Sequence, residues 1–313
     1  MVEILNGDLL RNETNTRAMG GTELIATEMH KRIPQEFLEG YQIIHSRPRQ
    51  LYDDLKKILI LHDLAGDPEV QHLKEGGWNK YDKLVFVSNW QMQQYNLFLG
   101  VPYNKSLVIQ NAINPVQVNV EEKPKDKVKI IYHTTPHRGL NILYTVFEIL
   151  AKEFDFIELD VYSSFKIYGW EVRDEQYKEV FDKCREHPQI NYHGSVSNDE
   201  VKKALAQAHI FAYPSIWQET SCISLMEAMS AGCLCVHPNY AALPETAANW
   251  TQMYQWNEDI NAHAGMFHAN LRNAILVAKN GWGGAFAQKN YADIFYSWDN
   301  RQNQWISFLK ELT

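Results

Sequence analysis

Short aliphatic and β-branched runs alternate along this chain with longer stretches in which apolar positions recur at helical spacing. From Lys56 onward the alternation is regular, and KKILILHD, DKLVFVSN and SLVIQNAI read as buried strands that end in polar residues. This rhythm predicts β-α units around a parallel sheet, with the polar strand ends at the carboxyl edge, where open α/β folds place their ligands. It breaks at EEKPKDK, residues 121–127, which is charged, contains Pro124 and lacks apolar periodicity, as a linker would. Beyond it come strands in VKIIYHTT, IELDVYSS, INYHG, HIFAYPS and CLCVHP. Interleaved with them are helices in GLNILYTVFEILAKEF, EQYKEVFDKCREH, SNDEVKKALAQA and SCISLMEAMSAG. In SWDNRQNQWISFLKEL, Trp298, Trp305, Phe308, Leu309 and Leu312 share one helical face behind a Ser297 N-cap, which predicts a terminal helix packing back across both domains. The expected architecture is α/β. It has two Rossmann-like, doubly wound parallel-sheet domains over residues 1–122 and 123–290, a ligand cleft between them, and a C-terminal helix over 291–313.

Composition narrows the function classes. A chain of 313 residues is long enough for two cores, and 45% hydrophobic with 22% charged residues excludes disorder and a membrane-embedded bundle. The longest apolar runs, such as Ile58 to Leu61, are far shorter than a bilayer span, and MVEILNGDLLRNE has neither a basic leader nor a sustained apolar region. A cytoplasmic location is therefore expected. Cys184, Cys222, Cys233 and Cys235 form no C-x-x-C and no zinc spacing, so they read as small buried residues. A net charge of -8 without a dense Lys/Arg run argues against nucleic acid as a partner. It weakens docking on anionic lipid and leaves peripheral membrane association open.

Four constellations carry candidate chemistry. In RAMGGTELIATEMHKRI, Gly20 and Gly21 precede a helix-forming run, where adjacent glycines let backbone amides approach a phosphate, although paired glycines before a helix are more often simple turn geometry. His62 in ILILHDL stands at a strand end, where a neutral imidazole donates to a hydroxyl or bonds a neighbouring loop. In YHTTPHRGL, Arg138 sits between strand and helix, where a guanidinium clamps a diphosphate or is simply solvated, and His133 supplies a second polar group. In PSIWQETSCISLMEAMSAG, Thr220 or Ser221 is placed to cap a helix starting near Cys222, leaving the amides of Ser221, Cys222 and Ile223 at its positive end. Glu219 and Glu227 flank that helix start, and a carboxylate among Leu225, Met226, Ala228 and Met229 needs a hydroxyl or cationic partner. Trp217 and Gln218 either shape the same pocket or, for Trp217, belong to the core.

PSIWQETSCISLMEAMSAGC resembles the hallmark of the retaining glycosyltransferases of GT-B fold, in particular the family 4 group: E-x7-E, preceded by Pro-Ser at a strand end and followed by E-A-M-x-x-G. GGTE resembles the glycine loop of the first domain, HD after a strand the donor-contacting histidine, NAIN at 111–114 the segment entering the linker, and HRGL the R/K-G-x element. YHGSVSNDEVKKALAQAHIFAYPS resembles the stretch before the double-glutamate motif, so the resemblance covers most of the chain. It implies that Gly20, Gly21 and the amides of Ser221, Cys222 and Ile223 hold the diphosphate of a nucleotide sugar, with Arg138 and His133 beside it. It further implies that Glu219 grips the transferred sugar, Glu227 the nucleotide ribose, and His62 the sugar near its 6-position. The two glutamates would thus hold two different sugars of one donor. His133 stands where many members carry an arginine, and E-T-S-C replaces a glycine-rich E-G-F-G.

The activity implied is transfer of a hexosyl unit from a UDP- or GDP-sugar, held by the second domain, to an acceptor hydroxyl of a glycan, lipid-linked glycan or protein glycan on the side of the first, with retention. With no D-x-D at a strand end, no metal or other cofactor is expected. A non-catalytic nucleotide-sugar-binding or assembly protein is the main alternative. A glycosidase needs its carboxylates facing each other across the glycosidic bond, and a dinucleotide oxidoreductase needs a G-x-G-x-x-G after the first strand.

Overall fold

The computed structural model describes residues 3–6, 20–48, 50–281 and 285–312. Residues 17–19 of the glycine-rich segment and most of the N-terminal stretch read above lie outside the described residues. The chain divides into two compact units, one of residues 1–112 with 296–313 and the other of 113–295.

The first unit holds a five-stranded parallel sheet in the order β1-β2-β3-β4-β5, formed by Glu3–Asn6, Tyr41–His45, Lys56–Leu61, Lys83–Phe86 and Ser106–Val108. Its helices are α1 (Gly21–Arg32), α2 (Gln35–Leu38), α3 (Asn89–Leu99) and, from the far end of the chain, α11 (Trp298–Leu312). Local chemistry sets the ends of α3: the Ser88 hydroxyl accepts from Gln91 N–H, and Gly100 closes the helix in the left-handed region. Ile44, Leu59, Leu61, Leu84, Phe86 and Tyr95 are wholly shielded and centre the core. Helix α11 starts at the expected Ser297 cap, whose hydroxyl accepts from Asn300 N–H at 3.1 Å. It buries Trp298, Arg301, Trp305 and Leu309, packs beside α2, and accepts the Tyr41 hydroxyl at the Leu309 carbonyl, 2.8 Å.

The second unit carries a six-stranded parallel sheet in the order β11-β10-β9-β6-β7-β8. Its strands are β6 (Val128–Tyr132), β7 (Ile157–Val161), β8 (Ile190–Tyr192), β9 (Ile210–Ala212), β10 (Leu234–Pro238) and β11 (Gln252–Tyr254). The helices are α4 (Leu140–Glu153), α5 (Lys178–Glu186), α6 (Asn198–Gln207), α7 (Ile223–Ser230), α8 (Leu243–Ala247), α9 (Ile260–Lys279) and α10 (Phe286–Phe295). The sheet grows from β6 outward through β7 and β8 on one side, then restarts beside β6 with β9 and continues to β11. The reversal places a topological switch between β6 and β9, and in open α/β sheets the crevice at the carboxyl ends of such a pair is where ligands bind.

The charged stretch 121–127 lies inside the second unit. Lys123 is buried, and its ammonium donates to the carbonyls of Ala208 and Ala231, the C-caps of α6 and α7, so a cation sits at two negative helix ends. All four cysteines are buried and free, as their spacing suggests. Among the described residues no helix is long and apolar enough to cross a membrane.

Candidate functional site

Each side of the β6/β9 switch contributes one loop. After β6 the chain runs through His133, Thr134 and Thr135 into a short 3-10 turn, Pro136–Arg138, and Gly139 then starts α4 without a side-chain cap. After β9 it runs through Tyr213 to Cys222, which starts α7, again without a side-chain cap. Thr220 or Ser221 was the expected cap; instead the N-cap is Cys222, and the Ser221 hydroxyl is buried with no hydrogen-bond partner. A thiol, a weaker acceptor than a hydroxyl, stands at the cap, beside the first amides of α7. Hydrogen bonding in the helix begins with Met226 N–H on the Cys222 carbonyl.

Close approach of the two loops depends on one glycine. Gly139 has φ +121°, and a Cβ built on it would stand 2.2 Å from the Pro214 carbonyl oxygen. Only a residue without a side chain lets the start of α4 lie against the strand end of β9. The contact brings Arg138 to Glu219, Nη1 to Oε1, at 3.0 Å. Glu219 also accepts from the Tyr213 hydroxyl, and Tyr213 is wholly buried. Burial opposes the Arg138 charge, but the Glu219 carboxylate outweighs it and holds the guanidinium well above its ordinary pKa. Burial and the same carboxylate push the Tyr213 phenol up, so it stays a hydrogen-bond donor.

Glu227 is 5% exposed, and burial raises its pKa against the opposing pull of Lys202 and Asn198. Those two supply the partners its apolar surroundings require: Asn198 Nδ2 at 3.2 Å and Lys202 Nζ at 4.0 Å, both on α6. His133 lies beside Phe211, ring centroids 5.0 Å apart, and burial lowers its pKa to about 3. It is therefore a neutral imidazole at physiological pH, not a replacement for an arginine charge. Its backbone carbonyl accepts from the Ser224 hydroxyl at 3.4 Å, tying the end of β6 to the first turn of α7.

Buried polar atoms without partners gather in these loops: His133 Nε2, Thr134 Oγ1, Thr135 Oγ1, His137 Nδ1, Arg138 Nε and Ser221 Oγ. Native folds satisfy the great majority of such atoms, so a cluster of them at a sheet's carboxyl edge, beside two helix starts without side-chain caps, is chemically suited to a polar or anionic ligand. Thr134, Thr135 and His137 of this cluster are invisible to motif reading. Tyr213, His137, Asn198 and Lys202 belong to the arrangement and were not singled out; the one available signal was the need of Glu227 for a partner.

The second unit thus assembles His133, Arg138, Glu219, Ser221, Cys222, Ile223 and Glu227. Gly20, Gly21 and His62 belong to the first unit. There, Gly20 is the uncapped N-cap of α1, whose first residue is Gly21. His62 follows β3, stacked on His45 with ring centroids 5.7 Å apart, and burial lowers its pKa to about 4.

Comparison with known proteins agrees with this fold. Residues 115–263 match the family model described as glycosyl transferases group 1. Among solved structures, the chain is similar to a glycosyltransferase from Rickettsia africae ESF-5, with 17% identity, 96% of this chain and 83% of that one covered, and a TM-score of 0.66. It is also similar to sucrose-phosphate synthase (tll1590) from Thermosynechococcus elongatus, with 13% identity, coverage of 87% and 74%, and a TM-score of 0.65. A third is Anabaena Alr3699/HepE in complex with UDP-glucose, with 14% identity, coverage of 92% and 82%, and a TM-score of 0.60. No curated protein matches the sequence. Residues 115–263, which include Arg138, Glu219 and Glu227, thus match the glycosyl transferases group 1 model, within a chain whose two parallel sheets have the GT-B fold.

Proposed function

We propose that this protein is a retaining glycosyltransferase that moves a hexosyl unit from a nucleotide-diphosphate sugar, UDP- or GDP-linked, to an acceptor hydroxyl of a glycan or lipid-linked glycan, without a metal. The observation that carries this reading is the Arg138–Glu219 pair at the β6/β9 switch, set among buried, partnerless polar atoms and two uncapped helix starts. Anabaena HepE, of similar fold, has been seen with UDP-glucose, which fits a donor of this class.

In this reading the amides at the start of α7 and the Arg138 guanidinium receive the diphosphate. Charge grows there as the bond from the anomeric carbon to the phosphate oxygen breaks, and fixed donors in a shielded site stabilise that charge more than they stabilise the ground state. The acceptor oxygen bonds to the anomeric carbon on the same face, and its proton passes to the departing phosphate oxygen. Glu219 is held by Arg138 and Tyr213, which suits a carboxylate that orients sugar hydroxyls better than one that attacks carbon. Glu227, braced by Asn198 and Lys202, receives the ribose hydroxyls.

The test is a thermal-shift and nucleotide-release screen of the purified chain against UDP-, GDP- and ADP-sugars, with Arg138→Ala and Glu219→Ala alongside. One donor class raises the melting temperature of the wild type, and slow release of its nucleotide is lost in both variants. If no nucleotide sugar shifts the melting temperature, the reading fails. If a donor binds but no acceptor or water ever releases its nucleotide, the chain is a non-catalytic binding protein.

A further inference from the structure

Aromatic side chains continue outward from the Arg138–Glu219 pair. Trp217 is presented by a tight turn in which its N–H donates to the Ser215 hydroxyl at 3.2 Å, and it is 42% exposed, so it does not belong to the core. His137 meets it edge-on at 4.8 Å and stacks on Phe165 at 5.2 Å with 18° between the planes. Phe165 opens the 3-10 segment Phe165–Tyr168, and its carbonyl accepts from Trp170 N–H at 3.2 Å. Trp170 is 43% exposed, and the Arg173 guanidinium lies over its ring at 4.3 Å. Tyr168 packs on Trp170 at 5.4 Å and lies within electrostatic reach of Arg138. The segment is held rigid by Asp174, which accepts from Phe165 N–H at 2.7 Å.

Two part-exposed indoles, Trp217 and Trp170, linked through His137 and the buried Phe165 beside the Arg138–Glu219 pair, are not accounted for by packing, because large aromatic faces left in water invite a partner with an apolar face and polar edges. A pyranose ring has that shape: its C–H face lies on the aromatic plane and its hydroxyls reach the rim. Rim groups of the right kind are present. The His137 Nδ1 is buried and partnerless, and burial, then Arg138 and Arg173, lowers the His137 pKa to about 4, so the ring stays neutral. Arg173 adds an exposed cationic donor beside Trp170. The row joins the site through His137 and Trp217, which neighbour Arg138 and Glu219 in the chain, whereas the partners of Glu227 are Asn198 and Lys202 of α6. That places the row on the side of the transferred sugar and not of the ribose.

We propose that the exposed indoles of Trp217 and Trp170, backed by His137 and the buried Phe165, form an acceptor platform on which a sugar ring of the acceptor glycan stacks, with Arg173 and Tyr168 on its rim. This rests on the reading of Arg138 and Glu219 as the donor site, and it commits the acceptor to a glycan carrying at least one free pyranose face.

The experiment is saturation-transfer difference NMR on the full chain. The saccharides are maltose, cellobiose, lactose and mannobiose, with UDP or GDP present, and Trp217→Ala and Trp170→Ala are compared with the wild type. Nucleotide affinity is measured in the same samples by calorimetry, and melting curves check folding. We expect at least one disaccharide to bind the wild type through one face of a ring. Both variants should weaken it about tenfold, the effect of removing an interfacial tryptophan, and Trp170→Ala should keep its nucleotide affinity. Nucleotide binding without disaccharide binding, or disaccharide binding unchanged in both variants, overturns the platform and leaves the donor reading intact. Disaccharide binding lost in the variants with no nucleotide bound by any form supports the platform and sinks the donor reading.

Discussion

Replacing Gly139 with alanine should damage this protein twice over. The residue sits at φ +121°, where a side chain is strained, and its Cβ would meet the Pro214 carbonyl oxygen at 2.2 Å. Strain at such a position costs about 1–3 kcal/mol, and for a unit of this size each kcal/mol lowers the melting temperature by about 2–4 °C. The contact is with backbone, so it cannot be relieved by a rotamer. To reach 3.0 Å the two loops must part by about 0.8 Å in a close-packed interior. Those loops carry Arg138 and Glu219, now 3.0 Å apart, and a displacement near 1 Å costs on the order of a hundredfold in a positioned reaction. Differential scanning fluorimetry and donor-dependent nucleotide release, run on the same preparation, read the two effects separately. Gly232→Ala is the control: it has φ +65° at the end of α7, and its Cβ would meet only the Lys289 side chain at 4.0 Å, so it should lose stability and keep turnover. If Gly139→Ala melts and turns over like Gly232→Ala, the close approach of the loops does not organise the site.

Three further outcomes follow from the same geometry. Tyr213→Phe removes only the hydroxyl that donates to Glu219, and a buried carboxylate left short of a donor should cost about 1–3 kcal/mol; an unchanged melting curve would refute the role given to this bond. Burial raises the folded-state pKa of Glu227, so the fold favours its neutral acid, and that contribution is complete below the ordinary 4.5 and lost as pH rises through the folded value. Glu227→Gln should therefore melt higher than wild type at pH 7, converge with it toward pH 4, and bind nucleotide more weakly; a lower melting temperature at pH 7 would reverse the sign. Burial depresses His133 to about 3 and His209 and His237 to about 4, so the unfolded chain takes up protons that the fold excludes. The stability they contribute is present above about pH 6.5 and is lost as pH falls toward 4, and a melting temperature flat across that range would show that these rings are charged in the fold.

Much of the second unit is legible locally. Runs such as VKIIY and LCVHP are buried on both faces of a parallel sheet and read as continuous apolar strands, while α4 shows its apolar stripe directly. Ser197 and Glu200 form a capping box that starts α6, a signal carried within four residues. The cap of α7 was not legible, because Thr220 and Ser221 are better capping residues than Cys222; the turn that presents Trp217 and Glu219 decides where the helix begins. With the cap one residue later, at Cys222, the Ser221 hydroxyl is left buried without a partner.

By itself the sequence determined the alternation of strands and helices, the polar character of the strand ends, the burial of the cysteines and the E-x7-E spacing, because each depends on neighbours within about two helical turns. Strand order, the switch between β6 and β9, the meeting of Arg138 with Glu219 and the bracing of Glu227 by α6 were decided only in the tertiary structure. These contacts join segments far apart along the chain, and their geometry depends on how whole elements pack. Gly139 shows the division most plainly: its identity is written in the sequence, but the reason for it, a carbonyl 2.2 Å from where a Cβ would stand, exists only once two distant loops have been folded against each other.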